Sequence, residues 1–175
     1  MMLLAAVVIS GCLTAGTAAQ APDLSGVWTA EPAAAPVAAA GPAPAARGDM
    51  GSGWGSPLTI TQDAKQLVVV QTLFGRGDMQ PPLRFVYTLD GTETRNTVMI
   101  GHASQMRVSR AAWDGQILQV TTSYPAVDPS SGKPFTTDVT HRLSLASPTS
   151  LVIEVTRGAA LGGQATTART VYKKN

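Results

Sequence analysis

Met106-Arg107-Val108-Ser109-Arg110-Ala111-Ala112-Trp113-Asp114-Gly115-Gln116-Ile117-Leu118-Gln119-Val120-Thr121-Thr122-Ser123-Tyr124 reads as two strands around a tight turn. Asp-Gly is a strong hairpin signal, because both residues tolerate the positive φ that a two-residue turn demands. The flanks are rich in Val, Ile, Thr, Leu and aromatic residues, which suit a half-buried pleated surface.

The same grammar extends in both directions. Upstream, Leu83 to Leu89 and Thr94 to Ile100 flank Asp90-Gly91, predicting a second hairpin, and Leu58 to Thr61 and Leu67 to Gln71 flank Asp63-Ala64-Lys65. Downstream, Val139 to Leu145 and Leu151 to Thr156 flank Ala146 to Thr149, and Thr166 to Lys174 supplies a closing strand. With Asp23 to Thr29 as a short first strand, the count is about ten strands joined mostly by short connections, as in meanders and barrels. Open strand edges invite aggregation, and closing the sheet on itself removes them. The expected fold is therefore all-β, an antiparallel up-and-down barrel of about eight to ten strands. The alternation places Leu83, Phe85, Tyr87 and Leu89 on the interior side, with Val139, His141, Leu143 and Leu145, and with Leu151, Ile153 and Val155. Arg84, Thr88, Asp138, Thr140, Arg142, Glu154 and Thr156 fall on the exterior.

The chain has 175 residues, enough for one domain whose core stands without disulfides. Charged residues are 14 % of it and the balance is +2, with Lys and Arg scattered singly, which gives no electrostatic footprint for nucleic acid. The single cysteine, Cys12, lies in an N-terminal segment without charged side chains, so thiol, disulfide and sulfur-based metal chemistry are not expected in the domain. That segment carries the apolar run Leu3 to Ile9 followed by small residues. It reads as a secretory signal peptide over residues 1–19, too short for a helix across a core of about 30 Å. Two processing routes are open. Cleavage after Thr17-Ala18-Ala19 yields a soluble exported product, periplasmic or secreted, beginning at Gln20. Alternatively Ile9-Ser10-Gly11-Cys12 resembles a lipobox, which would remove residues 1–11 and leave an outer-membrane lipoprotein anchored through Cys12. The mature part, 20–175, is read as one barrel domain with a disordered Ala/Pro/Gly-rich insert at 31–57, whose composition offers no apolar face to offset its ordering entropy.

Gly26-Val27-Trp28 near the start of the mature part, followed by antiparallel hairpins and a last strand bearing Arg169, resembles the calycin superfamily of lipocalins, fatty-acid-binding proteins and avidins. The resemblance implies that Gly26 and Trp28 lie at the closed end of the barrel and that Arg169 packs over the Trp28 ring. More specifically, Ala21 to Trp28, the low-complexity insert, Ala112 to Val120 and Thr170 to Lys174 resemble a family of uncharacterised bacterial exported proteins. That likeness spans nearly the whole mature chain and implies export and a lipocalin-like barrel. It brings no reaction, ligand or cofactor with it.

Candidate ligand-binding residues are those the alternation turns inward. His141 stands among Val139, Leu143 and Leu145, where a neutral imidazole could hydrogen-bond a ligand or be satisfied by the backbone. Of Arg107 and Arg110, which fall on opposite faces of one strand, Arg110 is the one expected inside, needing an anion or snorkelling to water. Tyr87 and Phe85 complete the lining. Trp113 is expected to pack across its hairpin. Trp54, isolated in Gly-Ser-Gly-Trp-Gly, is read as a lid over the barrel mouth, a residue awaiting a partner, or a solvent-exposed ring. His102 reads as surface, and the tripeptides Arg47-Gly48-Asp49 and Arg76-Gly77-Asp78 as chance products of a Gly-rich chain.

The sequence holds no nucleophile elbow, zincin motif or P-loop, and two histidines without a domain cysteine cannot build the usual zinc site. Asp138 and Glu154, both exterior, read as solvated carboxylates. The function expected is noncatalytic: an exported lipocalin-like protein holding a small apolar ligand in its barrel, with no cofactor or metal. The alternatives are a cell-envelope structural or interaction module with a filled barrel, and an unrecognised hydrolase or isomerase.

Overall fold

The alternating segments form the ten strands that their composition favours: β1 (Gly26–Ala30), β2 (Leu58–Gln62), β3 (Gln66–Gln71), β4 (Leu83–Thr88), β5 (Asp90–Ile100), β6 (Ala103–Asp114), β7 (Ile117–Val127), β8 (Pro134–Ser147), β9 (Ser150–Arg157) and β10 (Thr166–Lys174). The structure, a computed structural model, describes residues 21–32, 53–71, 82–100, 103–128, 130–158 and 164–175. The N-terminal leader with Cys12, residues 33–52 of the insert, both Arg-Gly-Asp tripeptides and His102 lie outside the described residues. Among the described residues there is no helix.

All ten strands belong to one antiparallel sheet in the order β4-β3-β2-β1-β10-β9-β8-β7-β6-β5, curled into a nearly closed barrel. The interior is lined by the faces that alternation marks as apolar. Leu67, Val69, Leu83, Phe85, Tyr87, Leu118, Val120, Leu143, Leu151, Ile153 and Val155 are all buried there. Asp114-Gly115 makes the expected turn, with Trp113 opposite Leu118 across the β6–β7 ladder and packed against the core.

The other Asp-Gly pair does something different from the expected hairpin. β4 and β5 follow one another in sequence yet form the two edges of the sheet. Competing partners prevent a ladder between them. Leu89 N donates to Lys65 O at 2.8 Å, tying the corner to the β2–β3 turn, and Asp90 Oδ1 accepts from Thr92 N and Oγ1 at 2.9 and 2.6 Å. β5 then pairs with β6, with a register shift between Asp90 and Glu93. Side chains close the seam that remains. Val86 N donates to Asn96 Oδ1 at 2.7 Å and Asn96 Nδ2 donates to Val86 O at 2.9 Å, so one amide side chain imitates a strand neighbour. Thr88 N donates to Thr94 Oγ1 at 3.2 Å beside it.

The two ends of the barrel differ. The turns at 63–65, 89, 115–116 and 148–149 are short and gather at one end, whereas the connections at 31–57, 72–82, 128–133 and 158–165 gather at the other. The short-turn end is stoppered by the N-terminal segment. Leu24 is fully buried, its N donates to Gln62 Oε1 at 3.0 Å, and Gln62 Nε2 donates to Pro22 O at 3.0 Å. Trp28 is fully buried beside it and donates Nε1–H to Leu24 O at 2.9 Å. The cation over its ring is Lys174, with Nζ 5.4 Å from the centroid, and not Arg169. The reason is register: Lys174 is the cross-strand partner of Trp28, whereas Arg169 falls on the outer face, 57 % exposed, with Nε 3.9 Å from Glu154. Gly26 has φ +151°, and a Cβ there would lie 2.5 Å from Lys174 Cε. The glycine is therefore the space through which Lys174 reaches the ring.

The outer wall is polar. Thr121, Thr140, Thr156 and Thr167 stand in one row across β7, β8, β9 and β10, with hydroxyl pairs at 3.1 Å between the first two and between the last two. Asp138 and Glu154 lie on this face but do not face each other. Asp138 accepts from Ser123 Oγ at 2.6 Å, and Glu154 is in register with Arg142 and Arg169.

Candidate functional site

Moving from the short-turn end towards the open end, the inward positions change from aliphatic to polar and charged. Trp113, Leu118, Leu143 and Ile153 form one layer in register, and Ala111, Val120, His141 and Val155 the next. Ser109, Thr122, Val139 and Arg157 follow, and Arg107 and Tyr124 lie one pleat nearer the rim. The Ser109 and Thr122 hydroxyls satisfy each other at 2.8 Å. Beyond them a cleft of about 260 Å³ is lined by Gly53, Trp54, Arg107, Tyr124, Val139, His141 and Arg157. Two guanidinium groups line it, and among the described residues no Asp or Glu does.

Arg107 is held by aromatic faces. Its Cζ lies 5.6 Å from the Phe85 centroid and 5.1 Å from that of Tyr124, within cation–π range. Its Nε is buried and has no hydrogen-bond partner among the described residues. A buried donor of that kind is one that an anionic ligand oxygen can satisfy. Burial pushes the Tyr87 phenol well above the usual tyrosine range, with Tyr124 adding to the rise and the Arg107 charge opposing it, so Tyr87 stays neutral.

Trp54 resolves the three readings in favour of the lid. It is 5 % exposed, stacked on His141 at 4.6 Å between centroids with 25° between planes, and stacked on Tyr87 at 6.3 Å and 10°. The segment that carries it is pinned from the barrel wall. Tyr172 donates its hydroxyl to Gly55 O at 2.9 Å and Ala30 N donates to Ser56 Oγ at 2.9 Å. Gly53 and Gly55 flank it with φ of +71° and +69°, conformations that let the ring turn down into the barrel. The last five residues of the insert, 53–57, are thus a placed strap.

His141, Tyr87 and Phe85 come together as the alternation implies, with His141 4 % exposed. Arg110 does not join them. It lies outside, 69 % exposed, with Nη2 3.6 Å from Glu93 Oε2. Cross-strand register sets this face: pairing Trp113 with Leu118 and Ala111 with Val120 turns the odd-numbered positions of β6 inward, so Arg107 is the interior cation. Arg157 was equally within reach of the sequence, one step further along the Leu151, Ile153, Val155 alternation. A larger concavity of about 520 Å³ over Arg110, Ala112, Gln119 and Thr121 lies on the outer wall and is lined mostly by exposed side chains. No protein-family model, no curated protein and no solved structure matches the chain.

Proposed function

We propose that this chain is an exported, noncatalytic, lipocalin-like binding protein that captures a small amphipathic anion at the open end of its barrel. One observation carries the reading: a cleft bearing two arginines and aromatic walls, in which Arg107 Nε is buried without a hydrogen-bond partner among the described residues and no described carboxylate lines the wall. Below the cleft, Leu118, Val120, Leu143, Leu151, Ile153 and Val155 fill the barrel, so the ligand sits at the mouth and not along the axis. At about 260 Å³ the site falls just under the range of roughly 300–1,000 Å³ typical of drug-sized ligands, which suits a compact molecule over a long acyl chain.

Calorimetric titration of the full-length chain with compact carboxylates and the matching neutral alcohols tests this. Carboxylates bind and alcohols bind more weakly. Arg107→Gln removes a charge-assisted hydrogen bond of about 1.5–3 kcal/mol and so lowers carboxylate affinity by about tenfold or more. Equal affinity for acid and alcohol, or an Arg107→Gln variant that binds as well as the parent, overturns the reading. The packed interior also favours a second reading, a solid barrel acting as an envelope interaction module, and absence of binding by every small anion would support it. The mass of the native N-terminus decides export and processing, as acylated Cys12 or free Gln20.

A further inference from the structure

The rings at the barrel mouth are close to parallel. Phe85 and Tyr87 differ by 4° between planes, Tyr87 and Trp54 by 10°, and Trp54 and His141 by 25°. Aromatic side chains brought together only by burial have no reason to align over four rings, since edge-to-face pairs are as favourable as offset stacks. A file of parallel faces beside a cleft is a slot for another flat π-system. The same cleft holds two guanidinium groups, planar cations whose forked donors match a carboxylate. Arg107 is itself laid over the Phe85 and Tyr124 rings, which fixes its plane and leaves its edge for an anion.

We infer that the preferred ligand is an aromatic carboxylate of one or two fused rings, its carboxylate held by Arg107 and Arg157 and its ring stacked in the file that Trp54 and His141 begin. This rests on the anion-binding reading above and narrows it. The cleft volume accommodates such a molecule with little remainder, whereas a saturated ring of equal charge is thicker and puckered and gains no stacking. Trp54 acts here as a specificity-determining residue: its strap is pinned by Tyr172 and Ala30, so the ring is presented to the ligand already in place.

The test is a calorimetric comparison of naphthoate with its saturated analogue, decalin carboxylate, on the full-length chain. The proposal expects naphthoate to bind about tenfold tighter, the upper end of what one ring-stacking contact supplies. In Trp54→Leu that preference collapses while both acids still bind, and in Trp54→Phe it is largely kept. Because Trp54→Leu could also loosen the strap, a second measurement uses the unmodified chain. His141 is one of two histidines, so its ring protons are readily resolved by NMR, and naphthoate must shift them upfield by ring current. Equal affinity for the two acids, or unmoved His141 resonances at saturating naphthoate, refutes the aromatic preference and leaves the anion reading standing. Failure of both acids to bind refutes both.

Discussion

Replacing Asn96 by Ala removes both hydrogen bonds that span the barrel seam, and the size of the effect follows from what is left behind. Val86 N and Val86 O lose their partners at 2.7 and 2.9 Å in a part-buried strip between two sheet edges, where Asn96 itself is 6 % exposed. A net hydrogen bond contributes about 1 kcal/mol, and a buried donor or acceptor left unsatisfied costs about 1–3 kcal/mol, so the expected loss is about 2–4 kcal/mol. Water entering the opened seam sets the lower end. Asn96→Asp sharpens the test. It keeps the acceptor for Val86 N but places a carboxylate oxygen against Val86 O, where only a protonated carboxyl can donate. The folded pKa of that Asp is therefore raised above its unfolded value of about 3.9. Its favourable contribution is fully present below the unfolded pKa and is lost as pH rises through the folded pKa, so the variant gains stability relative to the parent on acidification. Urea unfolding across pH, with amide exchange at Val86 as a local probe, measures both effects. An Asn96→Ala variant within about 0.5 kcal/mol of the parent, the ordinary scatter of surface changes, would refute the seam argument. So would an Asn96→Asp variant whose stability tracks the parent at every pH.

Two further predictions concern the ends of the barrel. Gly26→Ala pushes a methyl group into Lys174 at a φ that L-residues rarely adopt, and a loss of about 1–3 kcal/mol by thermal or urea unfolding is expected, whereas Arg169→Ala, removing an exposed pair with Glu154, changes stability by less than about 0.5 kcal/mol. At the open end, hydrogen bonds from Ser131 and Ser130 hold the Asp128 carboxyl down at about 2. An NMR pH titration of Ser131→Ala should move it up towards the ordinary Asp range. Because the folded value is depressed, whatever the turn contributes is present above about pH 4 and lost as pH falls towards about 2. An Asp128 titration unchanged by that substitution would show that the serine hydroxyls do not set it.

Everything that depends on period-two alternation and on local turn chemistry is legible in the amino-acid order. Leu83, Phe85 and Tyr87 cannot share a face with Arg84 and Val86 in any strand, so the interior of β4, and likewise of β8 and β9, follows from the residue pattern alone. Asp114-Gly115 declares its turn for the same local reason. The N-terminal Gly26 and Trp28 also lie at the short-turn end as their resemblance implies, although the cation over the ring is Lys174.

How independent segments meet is settled only in the folded barrel. β6 carries Met106 and Val108 on one face and Ala111 and Trp113 on the other, so its own composition does not choose, and the ladder to β7 does, which exchanges Arg110 for Arg107 in the site. Asp90-Gly91 has a hairpin's residues but not its partners, because Lys65 and Thr92 compete for the corner and leave Asn96 to close the barrel. Trp54 reaches His141 and Tyr87 only because the wall residues Tyr172 and Ala30 hold its strap over the mouth. Alternation fixes which way a side chain points from its own strand. Only closure of the sheet fixes which side chains it meets, and the cleft is made of those meetings.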